Sequence, residues 1–499
     1  MFDVYSLLCE RASSSPNKSA YIAKGQSICF SQLLQLSIQG ARYIQSRVDA
    51  SSIIMIIVDR SVCVPVCFFA SAISGCTYVP VDEQLPEKRI LEIRNYLNPG
   101  LVINCSSKKY VPDCILSNEL FSNISERDSE PFHPTINVYA PLYIAFTSGS
   151  MGSPKGVTVA QHSVLDYIQT ITDLFGVTHD DILATISSFD FDTTIRDIYS
   201  TLYVGCTTHF LPSKVSCCPR SLIEYINANK ITTLFSWSAT AMIIPVQTNA
   251  IKQLKSNYLR QIFFSGSVLP SRVLRIWQDY LPHTKFYNMY GPTECTGTST
   301  YYCIDHLIDV NEQLYIGRPL PNKTIILLKP FSDLPVATGE IGEICIGGMG
   351  VSLGYYNNPD ETSRRFIQNP MNISYRDIIY RTGDLGRLNI ENGYYEFHGR
   401  MDRQVKVFGY RVELDEIEFQ VNKIASIDCC AATYDEQSSI IVLFYVSNDD
   451  ISRQIAIHLR EVLPQYMIPR RFIKLDSIPR NLHHKIDYKQ LVKYYESIT

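Results

Sequence analysis

Residues 147–156 read Thr147-Ser-Gly-Ser-Met-Gly-Ser-Pro-Lys-Gly156: three glycines, four hydroxyls and one lysine in ten positions. They follow the apolar run Pro141-Leu-Tyr-Ile-Ala-Phe146, which predicts a buried strand. A strand that opens into such a loop can cradle phosphate. Glycines let the backbone come close, amides and hydroxyls donate, and the lysine brings charge. The loop is not a Walker A sequence, because the spacing G-x-x-x-x-G-K-[ST] does not fit. An ordinary flexible loop is the alternative reading.

Outward from the loop, apolar β-rich runs alternate with helical patterns through the first 300 residues. Strands are predicted at Ser51–Val58, Leu101–Asn104, Leu234–Trp237 and Gln261–Phe264, with a helix over Val62–Ser74. This alternation predicts α/β layers with largely parallel sheets. From about residue 320, Lys323–Leu328 and Glu343–Ile346 are short strands between Gly/Pro turns and predict a small β-barrel-like subdomain. After Asp402 the pattern is a compact α+β unit. It has a helix over Val412–Val421, with Leu414, Ile417 and Val421 on one face, a strand over Ser439–Val446, and a helix over Ser452–Val462. The predicted division is 1–401 and 402–499.

The chain has 499 residues and net charge −4, with hydrophobic residues at 45%. That is ordinary globular composition, and without a basic tract it gives no case for nucleic acid. The N-terminus carries an early acid and no basic region, so no signal peptide is expected. Ser61–Val81 is uncharged, but Pro65, Gly75 and Pro80 favour a buried helix and strand over a membrane span. The 15 cysteines form no C-x-x-C pair, which predicts reduced thiols and a cytoplasmic protein.

Further phrases follow in order: Tyr290-Gly-Pro-Thr-Glu294, Gly342-Glu-Ile-Cys-Ile-Gly-Gly348, Tyr380-Arg-Thr-Gly-Asp384, Gly399-Arg-Met-Asp402, Gly409-Tyr-Arg-Val-Glu413 and a late Lys485. Together with the 147–156 loop, this series resembles the core motifs of the adenylate-forming enzymes. The match is nearest to the amino-acid-activating adenylation domains of nonribosomal peptide synthetases and to D-alanine–carrier-protein ligases. It runs from about residue 10 to residue 490. The resemblance implies a large N-terminal domain and a small mobile C-terminal domain with a hinge at Asp402. It also implies ATP and Mg²⁺ as cofactors.

Transfer of AMP to a carboxylate sets an anionic nucleophile against an anionic phosphate, so catalysis is positioning plus charge neutralisation. By resemblance, Thr147, Ser148, Gly149, Ser150, Gly152 and Lys155 hold the β- and γ-phosphates. Glu294 is the Mg²⁺ ligand, with Thr293 beside it, since a hard cation prefers oxygen donors. Tyr290 stacks on adenine, Asn288 bonds its edge, and Gly266 lets the backbone run beneath it. Asp384 accepts the ribose hydroxyls and Arg400 is a second nucleotide contact. Lys485 bridges the substrate carboxylate and the α-phosphate. Here His483-His484 replaces the Asn-Gly usual before that lysine, which puts the loop geometry in question. The Lys406–Arg411 stretch around Gly409 faces the nucleotide when the small unit swings to form the thioester.

Phe191-Asp-Thr-Thr-Ile-Arg-Asp-Ile198 matches the segment whose acid pairs with a substrate α-ammonium. Phe189-Asp190 repeats the dipeptide, but the spacing to Gly205 selects Asp192. An acid there favours an α-amino acid over a fatty or aryl acid. The residues then placed around the substrate side chain are Thr193, Arg196, Phe235, Phe263, Ser265, Met289, Gly297 and Thr298. Arg196 has two open readings. It meets a substrate carboxylate or other strong acceptor, or it pairs within the protein with Asp197 or Asp190, or points away. Phe235, Phe263 and Met289 also leave a small D- or L-amino acid possible.

The expected activity is adenylation of an amino acid and its transfer to the phosphopantetheine thiol of a carrier protein. Fourteen residues follow Lys485, too few for a carrier domain, so the acceptor is expected on a separate protein or domain. The alternatives are an acyl-CoA synthetase-type ligase for a non-amino acid, and a non-catalytic nucleotide-sensing relic.

Overall fold

The computed structural model describes residues 2–106, 108, 113–122, 131–148, 155–255, 257–436, 438–481 and 486–498. Its contacts divide the chain into two compact units. The first holds Met1–Glu83, Asn98–Ala145 and Gly156–Met401; the second holds Gln84–Leu97, Phe146–Lys155 and Asp402–Thr499.

The first unit is α/β, as its alternating pattern requires. Six parallel strands form the middle of a nine-stranded sheet, in the order Lys285–Tyr290, Gln261–Ser265, Thr233–Ser238, Ile182–Thr185, Thr207–Phe210 and Ser19–Ala23. Antiparallel strands close both ends. A second, six-stranded sheet runs Ile115–Leu116, Leu101–Asn104, Ile53–Val58, Thr77–Asp82, Pro141–Thr147, Lys155–Ala160. Apolar runs buried on both faces are what parallel sheets under helices need. The uncharged stretch after Ser61 becomes the helix Cys63–Ile73, buried from Val64 onward, and the strand Thr77–Asp82. Among the described residues no helix is long and apolar enough to cross a membrane.

The third sheet of this unit has five antiparallel strands, including Lys323–Leu328, Gly342–Gly348, Ile378–Leu388 and Tyr395–Arg400.

The second unit packs the helices Leu414–Val421, Ser452–Val462 and Tyr488–Ile498 with a three-stranded sheet, Cys429–Asp435, Ile440–Val446 and Arg471–Lys474. The helix predicted from Val412 starts at Leu414 instead. Val412 and Glu413 belong to a hairpin, pairing with Val405 and Gln404. Strand pairing outweighs the helical spacing there, while Leu414, Ile417 and Val421 keep the buried face that the spacing requires. The helix Glu87–Leu97 joins this unit through a buried ion pair, Arg89 to Glu416 at 2.7 Å.

Candidate active site

In open α/β sheets, ligands sit beyond the carboxyl ends of the strands. The candidate residues of the first unit gather there. The register sets Ser265 beside Met289 and Phe264 beside Asn288, so Gly266 and Tyr290 follow at the same edge. Gly266 has φ +92°, a left-handed conformation that a side chain resists. The turn after Tyr290 depends on Gly291, where a Cβ would stand 2.1 Å from the carbonyl oxygen of Gly297.

Tyr290 and Asp384 come from different sheets and meet directly: the phenol donates to Oδ2 at 2.5 Å. Arg400, opposite Asp384 in the strand register, donates to Oδ1. The Thr382 hydroxyl accepts from the Asp384 amide at 2.9 Å. Burial, then the charge and hydrogen bond of Asp384, pushes the Tyr290 phenol well above its ordinary pKa, so it stays a donor. Asn288 donates its amide to the Tyr315 carbonyl at 2.7 Å.

Thr293–Cys295 is a single tight turn. Glu294 within it is 0% exposed and accepts a 2.8 Å hydrogen bond from the Tyr355 hydroxyl. Lys323 braces the turn, its Nζ donating to the Cys295 carbonyl at 2.5 Å. Burial holds the Lys323 ammonium down at about 8, against the raising influence of Cys295 and Asp166. Among the described residues no three His, Cys, Asp or Glu side chains could hold a metal together. A metal at Glu294 would therefore share one buried carboxylate with nucleotide phosphates. Mg²⁺ accepts that donor set, being commonly held by one or two carboxylates plus phosphate oxygens.

Asp192 and Thr193 lead into the helix Thr194–Val204, whose first turn carries Arg196. Arg196 Nη2 reaches Ser265 Oγ at 3.3 Å, and the Phe235 ring lies 6.0 Å from its Cζ. Phe263 packs against Phe235, with ring centroids 4.7 Å apart. Met289 is buried, and a Cβ on Gly297 would press on the Tyr167 ring at 3.0 Å. The Thr298 amide donates to the Tyr167 hydroxyl at 3.2 Å.

The remaining candidates belong to the second unit or fall outside the described residues. Ser148 and Thr147 belong to the second unit. The Ser148 hydroxyl donates to the Arg411 carbonyl at 2.8 Å and accepts from the Glu413 amide at 3.2 Å. Lys155 stands near enough to Glu413 to oppose the rise in its pKa that burial causes. Asp402 opens that unit, its Oδ1 accepting from the Gln404 amide at 3.3 Å. Gly149, Ser150, Gly152 and Lys485 lie outside the described residues.

A family profile described as AMP-binding enzyme matches residues 8–356, most of the chain. The chain belongs to that family. This AMP-binding protein is 31% identical over 494 residues to bacitracin synthase 1 of Bacillus licheniformis, covering 98% of this chain and 9% of that one. It is 29% identical over 506 residues to zwittermicin A synthase ZmaJ of Bacillus cereus, covering 98% and 94%. The chain spans under a tenth of the length of the first of its curated relatives, 9%, 8% and 8%. Among solved structures, holo-PA1221, an NRPS protein with adenylation and PCP domains, has TM-score 0.84 at 23% identity, covering 99% and 84% of the two chains. An o-succinylbenzoate CoA synthetase from Bacillus subtilis also reaches 0.84, at 19% identity and 98% coverage of both. At such identities these two show the shared fold.

Sequence reasoning missed Tyr355, Thr382 and Lys323, which hold Glu294, Asp384 and the Cys295 carbonyl. Thr382 sits inside a motif and was readable there. Tyr355 and Lys323 stand in phrases with no chemical signature, and only folding brings them to the turn.

Proposed function

We propose that this AMP-binding enzyme activates an α-amino acid as its aminoacyl-adenylate and passes the acyl group to the phosphopantetheine thiol of a carrier protein. The observation that carries the reading is Asp384, a carboxylate set between Tyr290 and Arg400 at the sheet edge. So placed, it suits the two hydroxyls of a ribose. Asp192, just before the helix Thr194–Val204 on the nine-stranded sheet, would supply the anion for a substrate ammonium. The curated relatives, synthases of bacitracin and zwittermicin A among them, support the amino-acid branch.

In the first step a substrate carboxylate oxygen bonds to the α-phosphorus of ATP and pyrophosphate leaves. Lys155 and the loop around it would neutralise the departing phosphates, and Lys485 the charge at the α-phosphorus. Glu294 would hold Mg²⁺, which shields phosphate charge when bound. Tyr290, Asp384 and Arg400 would fix the nucleoside so that the reacting oxygen is in line. In the second step the thiol sulfur bonds to the acyl carbon and AMP leaves.

Amino-acid-dependent pyrophosphate exchange tests this. Wild type should exchange with at least one amino acid. Asp192→Ala should raise its KM by about 30-fold or more, with ATP affinity unchanged, since a desolvated ion pair is lost. Equal activity on the des-amino acid would point to an acyl-CoA ligase. ATP binding without exchange on any acid would point to a nucleotide sensor.

A further inference from the structure

A guanidinium has five donors and keeps its charge in proteins, so burying one without acceptors is costly. Arg196 is 2% exposed. Ser265 takes one donor from Nη2, and Nη1 has no hydrogen-bond partner. Neither neighbouring acid hydrogen-bonds to it, although the Arg196 charge opposes the rise that burial causes in the pKa of Asp197. Asp197 is the next residue on the same helix, and adjacent helical residues do not face each other. Both oxygens of Asp197 and one of Asp190 likewise lack hydrogen-bond partners. Among the described residues Arg196 makes no ion pair, and Ser265 and Phe235 show that it does not point away. The structure thus shows no hydrogen-bonded pairing of Arg196 with either acid.

The surroundings say what kind of group is absent. Arg196 lies in the first turn of the helix Thr194–Val204 and Asp192 just before its cap, and the charge of each acts on the Tyr167 phenol. Burial chiefly raises the pKa of that phenol, Arg196 lowers it, and Asp192 raises it. The same phenol takes the Thr298 amide. The charges of both residues thus reach one buried phenol. That pair of charges complements a ligand with an ammonium at one end and an acid at the other, and the Phe235 and Phe263 rings are fully buried.

We infer that Arg196 receives an anionic group on the substrate side chain, so that the amino acid activated here is an acidic one. The inference rests on the amino-acid reading above and narrows it. A carboxylate can take two parallel charge-assisted hydrogen bonds from a guanidinium, which an amide or alkyl side chain cannot do.

The test is pyrophosphate exchange by the full chain with L- and D-Asp, L- and D-Glu, 2-aminoadipate, Asn, Gln, Ala, Ser and Leu. An acidic amino acid should give the highest kcat/KM. Arg196→Met should lower that value about 100-fold or more and abolish the preference for acidic over neutral substrates. Arg196→Lys, which keeps a charge, should retain an intermediate preference. An equal loss of kcat/KM for acidic and neutral amino acids in a folded Arg196→Met would assign Arg196 a structural role through Ser265, Phe235 and Asp197 and overturn the inference. A wild type that prefers Asn, Ala, Ser or Leu and ignores acids overturns it while leaving amino-acid activation intact. No exchange with any amino acid overturns both.

Discussion

The phenol of Tyr290 donates a 2.5 Å hydrogen bond to Oδ2 of Asp384, a residue 94 positions later and in a different sheet. Arg400 occupies the other carboxylate oxygen. The carboxylate is therefore oriented before any nucleotide arrives, which reduces what binding must order.

Removing that hydroxyl should weaken nucleotide binding without unfolding the protein. Tyr290→Phe deletes one hydrogen bond to a charged acceptor, worth about 1.5–3 kcal/mol. The ATP dissociation constant, measured by calorimetry, should rise about tenfold. The amino-acid KM at saturating ATP should stay within twofold.

Tyr355→Phe addresses Glu294. Losing its 2.8 Å hydrogen bond removes one restraint on the carboxylate. The Mg²⁺ concentration for half-maximal exchange should rise several-fold, with little change in Tm. An unchanged Mg²⁺ dependence would separate Glu294 from the metal.

Lys485→Ala should cut adenylate formation by at least about 100-fold while ATP still binds, because charge at the α-phosphorus grows only on the way to the transition state. Exchange within a few-fold of wild type would remove this lysine from the chemistry.

His209 should give the fold an acid-sensitive component. Burial holds its imidazole down at about 4, and its Nδ1 lies 2.9 Å from the Tyr225 hydroxyl. Its unfolded pKa is about 6.5. Above that value neither state is charged and the contribution is complete. As pH falls from 6.5 towards 4, the unfolded chain takes up a proton that the folded chain refuses, and stability is lost, by an amount of order 2 kcal/mol. Urea midpoints at pH 7.5 and 5 should therefore fall further for wild type than for His209→Gln.

The parallel core was legible because strands buried on both faces must be apolar runs bounded by turns. Leu101–Asn104 and Ser452–Val462 match the structure to the residue. The stretch from Val412 was misread because Val412 and Glu413 are held by cross-strand partners that local spacing does not register. In the site, Tyr290, Asp384 and Arg400 are readable as motif letters, but their mutual hydrogen bonds depend on how two sheets meet. Tyr355 and Lys323 carry no motif at all. The unpaired state of Arg196 is less legible still. A sequence displays Asp190 and Asp197 nearby, and only the three-dimensional arrangement reveals that neither hydrogen-bonds the guanidinium.

The ion pair of Arg89 with Glu416 governs how this chain can be recombined. The C-terminal unit is encoded in three separated stretches, 84–97, 146–155 and 402–499. A chimaera that exchanges only the last stretch with a relative inherits Arg89 without its own Glu416, whereas Ser148, which bonds only the backbone of residues 411 and 413, is less exposed to the exchange. Crossovers that carry all three stretches keep those partners together, so the transplantable module is a mosaic rather than a tail.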